Sequence, residues 1–298
     1  MCIIGYNGIR FARLIPMNGE HVEIDWSAAR EANRENWDDR VPLHAVSYER
    51  ESFDDPEHLS DVIRHDVTVL ERFLPARSIV GLDVCHLQCH IGTDTVSLAR
   101  AGARRVTGVD FSAPALETAR AFAEEHGVDA EWVETDVLDA RAAVSGDFDV
   151  VYTSIGTICW LSDLDRWAQQ IHELLRPGGT FFIRDGHPAL YALDEDAETL
   201  TARYRYFGDG TAQVWDDAST YAGDGTVSHT RTYEWPHSLA EILGALLGAG
   251  LRIVHVDEGR TLPWRFSPRM VEVPGGYAWP EAQRDLLPCT YTIIARRD

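Results

Sequence analysis

The chain has 298 residues, 45% of them hydrophobic, enough for one large domain or two small ones with a full core. Its formal net charge of −21 repels phosphate backbones and no basic patch offsets it, which argues against a nucleic-acid partner. No apolar run is long enough to span a bilayer, so no membrane partner is expected either. Five scattered cysteines, an odd number, read as free thiols in a reducing compartment and point to the cytoplasm.

In chain order, Met1 to Asn18 is mildly apolar, contains Arg10 and Arg13 and has no small-residue cleavage site. It reads as an upstream extension rather than a signal peptide. Residues 20–78 look helical and polar. One amphipathic stretch covers Ser27 to Trp37 and stops near Pro42; another covers Ser60 to Leu74, with Pro75 as its stop. An aromatic and histidine-bearing loop with Trp37, His44, Tyr48 and Phe53 lies between them.

From Ile79 strands and helices alternate. Strands are predicted at 79–87, 105–109, 130–134, 148–153 and 180–184, and helices at 93–101, 113–125 and 163–175. Ser112 caps the second helix, with Pro114 in its first turn. Arg176-Pro-Gly-Gly is a helix stop and turn. Such alternation predicts parallel strands joined by right-handed crossovers. The rhythm fails from Gly186 to Pro236, which reads as an insertion covering the ligand crevice, with antiparallel pieces near 226–234. A helix at 238–248 and strands at 251–256 and 291–296 complete the pattern; the segments around Leu262 to Met270 and Gly275 to Pro280 read as loops.

The most informative stretch runs from Ile79 to Asp110. An apolar run breaks at a polar turn, Gln88 to Gly92; a helix opens at Thr93, and a second apolar run ends on the lone carboxylate Asp110. Strand, turn, helix, strand and acid form the first half of a nucleotide-binding unit. The turn offers N–H groups and a helix start to a ligand, and Asp110 stands where a ribose diol needs an acceptor. Cys85-His86-Leu-Gln-Cys89-His90 also suggests metal binding, but strand alternation puts Cys85 and His86 on opposite faces, so no metal is expected.

The ordered pieces Ile91-Gly92, Gly108-Val-Asp110-Phe-Ser, Glu134-Thr-Asp136-Val, Phe148-Asp-Val-Val-Tyr-Thr-Ser154 and Leu174-Leu-Arg-Pro-Gly-Gly resemble the class I S-adenosylmethionine (SAM)-dependent methyltransferases. Three further stretches are similar to a bacterial branch of that family: His86 to Thr95, Tyr233 to Leu239 and Asn36 to Pro42. The resemblance implies a Rossmann-like, doubly wound α/β fold with a mostly parallel seven-stranded sheet. It divides the chain into an extension and helical lid (1–78), a SAM-binding core (79–185), an inserted cap (186–236) and a core completion (237–298). It implies SAM as cofactor, S-adenosylhomocysteine (SAH) as product and a small-molecule acceptor methylated at O, N or C, driven mainly by proximity.

By resemblance the cofactor meets His86, Gln88, Cys89, His90, Gly92, Thr95, Asp110, Phe111, Asp136, Val137, Ser154 and Ile155. Asp136 reaches the adenine amino group, with Val137 packing the ring. The first motif departs from the family's acid-x-Gly-x-Gly-x-Gly: His86 stands at the acid, and Gln88 and His90 at the first two glycines. SAM has no pyrophosphate, so close backbone approach is not required, and His86 is expected to make binding sensitive to pH. Candidate bases are His187, His237, Tyr233 and His44, with His187 first because it follows the fifth strand. Trp37, His44, Tyr48, Trp160, Tyr191, Tyr204 and Trp235 are candidates for a substrate pocket. Three other readings share this pattern: a nicotinamide-dependent oxidoreductase, a non-catalytic SAM-binding module, and an enzyme using another carbon of SAM. The nicotinamide reading is disfavoured by Gln88 and His90, which replace glycines that a pyrophosphate would need.

Overall fold

A computed structural model describes residues 19–47, 50–220 and 225–298. The expected extension, Cys2 and Tyr48 lie outside the described residues. The central sheet has seven strands: β1 (Asp83–Leu87), β2 (Arg105–Asp110), β3 (Glu131–Glu134), β4 (Phe148–Thr153), β5 (Leu175–Gly186), β6 (Leu251–Gly259) and β7 (Thr290–Arg297). Their order is β3-β2-β1-β4-β5-β7-β6. β1 to β5 run parallel, while β7 is antiparallel to both its neighbours.

Alternation along the strands builds two cores. Cys85, Leu87, Phe181, Ile183 and Ile293 face one layer, where helices α5 (Leu164–Leu174) and α6 (Leu239–Gly248) pack. Val84, Phe182 and Ile294 face the other layer, packed with α2 (Asp61–Leu70) and α3 (Thr93–Arg100). A further helix, α4 (Ala113–Glu125), starts as expected, with Ser112 accepting from the Ala115 N–H at 3.2 Å. At the far end of the sheet Arg104 and Arg176 both bond the Asp83 carboxylate, while Arg100 caps three carbonyls of residues 53–58.

Four features differ from expectation. Helix α1 (Trp26–Ser47) runs through Pro42 instead of stopping there. Proline removes one helical donor, but buried Val41 packs against Ile91 and Ala115, and buried His44 bonds Thr220 at 2.7 Å; these tertiary contacts outweigh the lost bond. Residues 79–82 form a turn rather than strand, because Gly81 takes φ +80° and Leu82 donates to the Ile79 carbonyl. The inserted segment contributes Ala212–Asp216, which pairs with both His21–Val22 and Arg231–Glu234 in a three-stranded sheet. A hairpin, Val271–Val273 with Gly276–Ala278, stands where loops were expected. Among the described residues no helix is long and apolar enough to cross a membrane, and Cys85, Cys89, Cys159 and Cys289 are free thiols.

Candidate active site

A cavity of about 1690 Å³ opens over the carboxyl ends of β1, β2, β4 and β5. Its roof is one stripe of α1: Trp26, Arg30, Asn33, Trp37 and Arg40 recur at spacings of three and four and all line it.

The floor is the turn after β1. Gln88, His90 and Gly92 take φ of +55°, +50° and +79°. All three positions where the family places glycine are therefore left-handed, and two carry side chains there at a cost of about 1–2 kcal/mol each. The loop thus keeps the left-handed backbone that glycine would give although two of its three positions carry side chains. That shape turns the His90 N–H onto Asp110 Oδ2 at 2.8 Å, while the Ser112 N–H reaches Oδ1 at 3.0 Å. Asp110 is 8% exposed, and burial pushes its carboxyl up to about 6 against these N–H bonds. Each oxygen keeps a lone pair toward the cavity. At Gly92 an added Cβ would lie 2.6 Å from the Trp132 ring, so the start of α3 requires glycine for space as well as for φ.

His86 is fully enclosed, its Nδ1 2.8 Å from Thr95 Oγ1 and its Nε2 3.5 Å from Ser154 Oγ. Burial pushes it down to about 3, so it stays neutral near pH 7 and cannot supply the expected pH sensitivity. Gln88 Nε2 donates to the Thr157 carbonyl at 3.2 Å, and its buried Oε1, beside the cavity, has no partner among the described residues. Asp136 accepts from the Leu138 N–H at 2.9 Å, and its other oxygen lies 3.5 Å from Arg30. These groups fit a zwitterionic nucleoside: a diol acceptor, an ammonium acceptor and an acid near a base edge.

Gln88, Cys89, His90, Phe111, Val137, Ser154, Ile155, Trp37, Trp160, Tyr191, Tyr204 and Trp235 line the cavity with His86, Asp110 and Asp136. Gly92 and Thr95 shape it from behind. His44 does not line it; its ring stacks behind His90 at 5.1 Å.

The candidate bases separate. His187, the first choice, does not line the cavity. Its Nδ1 accepts from the Ala189 N–H at 3.1 Å and its Nε2 meets Glu258 at 2.9 Å, so both nitrogens are committed. Tyr233 fails through strand alternation: Thr232 and Glu234 line the cavity, whereas Tyr233 packs against Ala29 and Ala212. His237 does line it. Its Nε2 donates to the Leu161 carbonyl at 2.6 Å, which leaves the lone pair on Nδ1, and burial holds it below the usual histidine value.

Sequence reading missed Asp185, at the end of β5. It accepts from the N–H groups of Gly156, Thr157, Ile158 and Gly186 and so fixes the loop after β4. The signal was the one that exposed Asp110, a lone acid closing a strand. Tyr291 and Glu234 line the cavity too; Glu234 lies in the Tyr233–Leu239 stretch singled out above, whereas nothing in its local sequence marks Tyr291.

A family model described as "Methyltransferase domain" matches residues 84–179. The ubiquinone biosynthesis O-methyltransferase of Chelativorans sp. (strain BNC1) is 30% identical over 118 residues, 40% of this chain and 46% of that protein. The chain spans about half the length of the curated relatives it matches. Two solved structures share the fold. The CcbJ methyltransferase of Streptomyces caelestis has a TM-score of 0.54 at 17% identity, covering 89% of this chain and 98% of that one. An S-adenosylmethionine dependent methyltransferase from Mesorhizobium loti has a TM-score of 0.51 at 21% identity, covering 77% and 96%. With the reversed β7 seated between β5 and β6, the chain has the fold of these two methyltransferase structures, and within it residues 84–179 match the methyltransferase domain model.

Proposed function

We propose that the protein transfers a methyl group from SAM to a small molecule held beneath α1 and the inserted segment, in the cytoplasm. The observation that carries this reading is Asp110, a buried carboxylate at the end of β2 whose two oxygens are aimed at the cavity by the His90 and Ser112 N–H groups.

In this reading Asp110 holds the ribose hydroxyls, Gln88 Oε1 accepts from the α-ammonium, and Asp136 with Val137 frames the adenine. When bound, SAM supplies an electrophilic methyl carbon on a sulfonium and leaves as SAH. The protein contributes placement, worth up to about 7–11 kcal/mol in oriented systems. Trp37 and Trp160, with ring centroids 5.4 Å apart, close the roof against water. His237 Nδ1 takes the acceptor's proton, and the Leu161 carbonyl stabilises the imidazolium that results through the Nε2–H bond. The lid (20–78), cap (186–236) and flanking core segments divide the work: the core holds the cofactor, the lid and cap the acceptor.

Calorimetry with SAM, SAH and NADH tests the cofactor. SAM and SAH should bind and NADH should not; the reverse result ends the reading. Incubation with methyl-labelled SAM and candidate acceptors, followed by mass analysis, should show a gain of one methyl. A cyclised or aminocarboxypropylated product would instead mean that another carbon of SAM is used.

A further inference from the structure

The cavity extends past β4 and β5 into a second half. Its floor is Tyr291, set beside Asp185 by the antiparallel pairing of β7 with β5. Tyr291 is 1% exposed and its hydroxyl has no hydrogen-bond partner among the described residues. A buried hydroxyl without a partner is costly, and a ligand atom that accepts from it removes the cost. Tyr191 reaches the same place: its hydroxyl lies over Gly186, where an added Cβ would come within 2.3 Å of it. Burial and the Asp185 charge raise both phenols well above their usual value, so both remain donors.

The charge of this half is one-sided. Glu195, Asp196, Asp217, Glu234 and Glu272 line it, against Arg205 and Arg265. Arg205 is ion-paired to Asp209, and Arg265 donates to the Pro268 carbonyl at 2.7 Å. Aromatic faces complete the wall, among them Trp215, Trp235, Trp264 and Phe266. Rings that stack, acids that attract a cation and a buried donor together specify a ligand more narrowly than size does.

We propose that this half receives a ring-bearing amine in its cationic form, the ammonium held by Glu234 and a ring hydroxyl or ether oxygen accepting from Tyr291 Oη. The inference deepens the methyltransferase reading, on which it rests for making this molecule the methyl acceptor: transfer to nitrogen requires the ammonium first to give a proton to His237 Nδ1, because the cation has no lone pair, and transfer to a ring hydroxyl sends that hydroxyl's proton there.

Saturation-transfer NMR with three probes of similar size tests it: tyramine, 4-ethylphenol and 4-hydroxyphenylacetate, each with and without SAH. Tyramine should give the strongest transfer, at least threefold above 4-ethylphenol, and the acid none. Glu234→Gln should bring tyramine down to 4-ethylphenol; Tyr291→Phe should lower both together while leaving the thermal midpoint unchanged or raised. Equal or stronger transfer to the acid, an unchanged tyramine preference in Glu234→Gln, or no transfer to tyramine overturns the proposal. SAH calorimetry on the same samples keeps the two readings apart. Loss of SAH binding in the wild type sinks the methyltransferase reading, whereas SAH binding without amine preference sinks only this one.

Discussion

Asp110 and His237 are each defined by what their neighbours leave free. N–H bonds from His90 and Ser112 orient Asp110 but do not saturate it, so removing the carboxylate should cost its bonds to the ribose and also leave two N–H groups unpaired. Asp110→Ala should weaken SAH by about 1.5–3 kcal/mol in calorimetry. Ribose donors favour the charged form, and the free carboxyl titrates at about 6. SAH affinity should therefore be flat above pH 6 and fall up to about tenfold per unit below it. Asp94, which lines the cavity and is also raised to about 6 by burial, makes Asp110→Asn the necessary control: it should abolish the acid slope. For His237 the expected result differs. With an acceptor that must lose a proton, His237→Gln should lower kcat by about 10²–10⁴ while SAH affinity is unchanged. The acid limb of kcat should lie below pH 6.5, since burial holds the imidazole down.

At the scale of elements, α1 is a roof fastened to the cofactor loop. Ser112 Oγ donates to Asp38 at 2.6 Å, Val41 packs on Ile91, and the His90 ring meets both Trp37 and His44 at 5.1 Å. These contacts give the left-handed His90 a physical purpose. Its backbone costs about 1–2 kcal/mol, while two aromatic contacts return about 0.5–1.5 kcal/mol each. The magnitudes nearly cancel, so His90→Gly should shift global stability by less than about 1 kcal/mol. It should nevertheless loosen the roof: amide exchange over residues 33–44 should accelerate, while β1 and β2 stay protected. Unchanged exchange in α1 would mean that the roof is held by Asp38 and Val41 alone.

Across the whole molecule, buried charge is handled in opposed pairs. Beneath the sheet, Arg184 is bound to Asp66, which also accepts from Tyr152 at 2.7 Å. Asp66→Ala would strand the Arg184 cation and should cost about 3–5 kcal/mol by denaturant unfolding. Acid stability reflects a second opposition. His44 and His86, pushed down to about 2 and about 3, stay neutral when folded, so their contribution is lost as pH falls below 6.5. Asp110 and Asp94 have folded values raised to about 6, so their destabilisation is relieved as pH falls from 6 toward 4. One unit corresponds to about 1.4 kcal/mol for each group. His90, also pushed down to about 3, adds to the histidine loss, so between pH 6 and 4 the carboxylates oppose only part of it, and Asp110→Asn should steepen the acid loss of stability there.

The sequence alone determined the α/β alternation from 79 to 185, the cap at Ser112, and the acid Asp110 that closes its strand. Each of these is a local matter of periodicity, turn chemistry or a lone charge after an apolar run. The course of α1 through Pro42 was decided by contacts with Ile91, Ala115 and Thr220, which no local rule contains. Strand pairing turned Tyr233 away from the cavity, while a cap bond and an ion pair withdrew His187. Tyr291 reached Asp185, 106 positions earlier in the chain, only because β7 runs backwards between β5 and β6. The residues of the turn after β1 are neighbours in sequence and so were legible there; the other half of the cavity is assembled from segments that only the tertiary fold brings together.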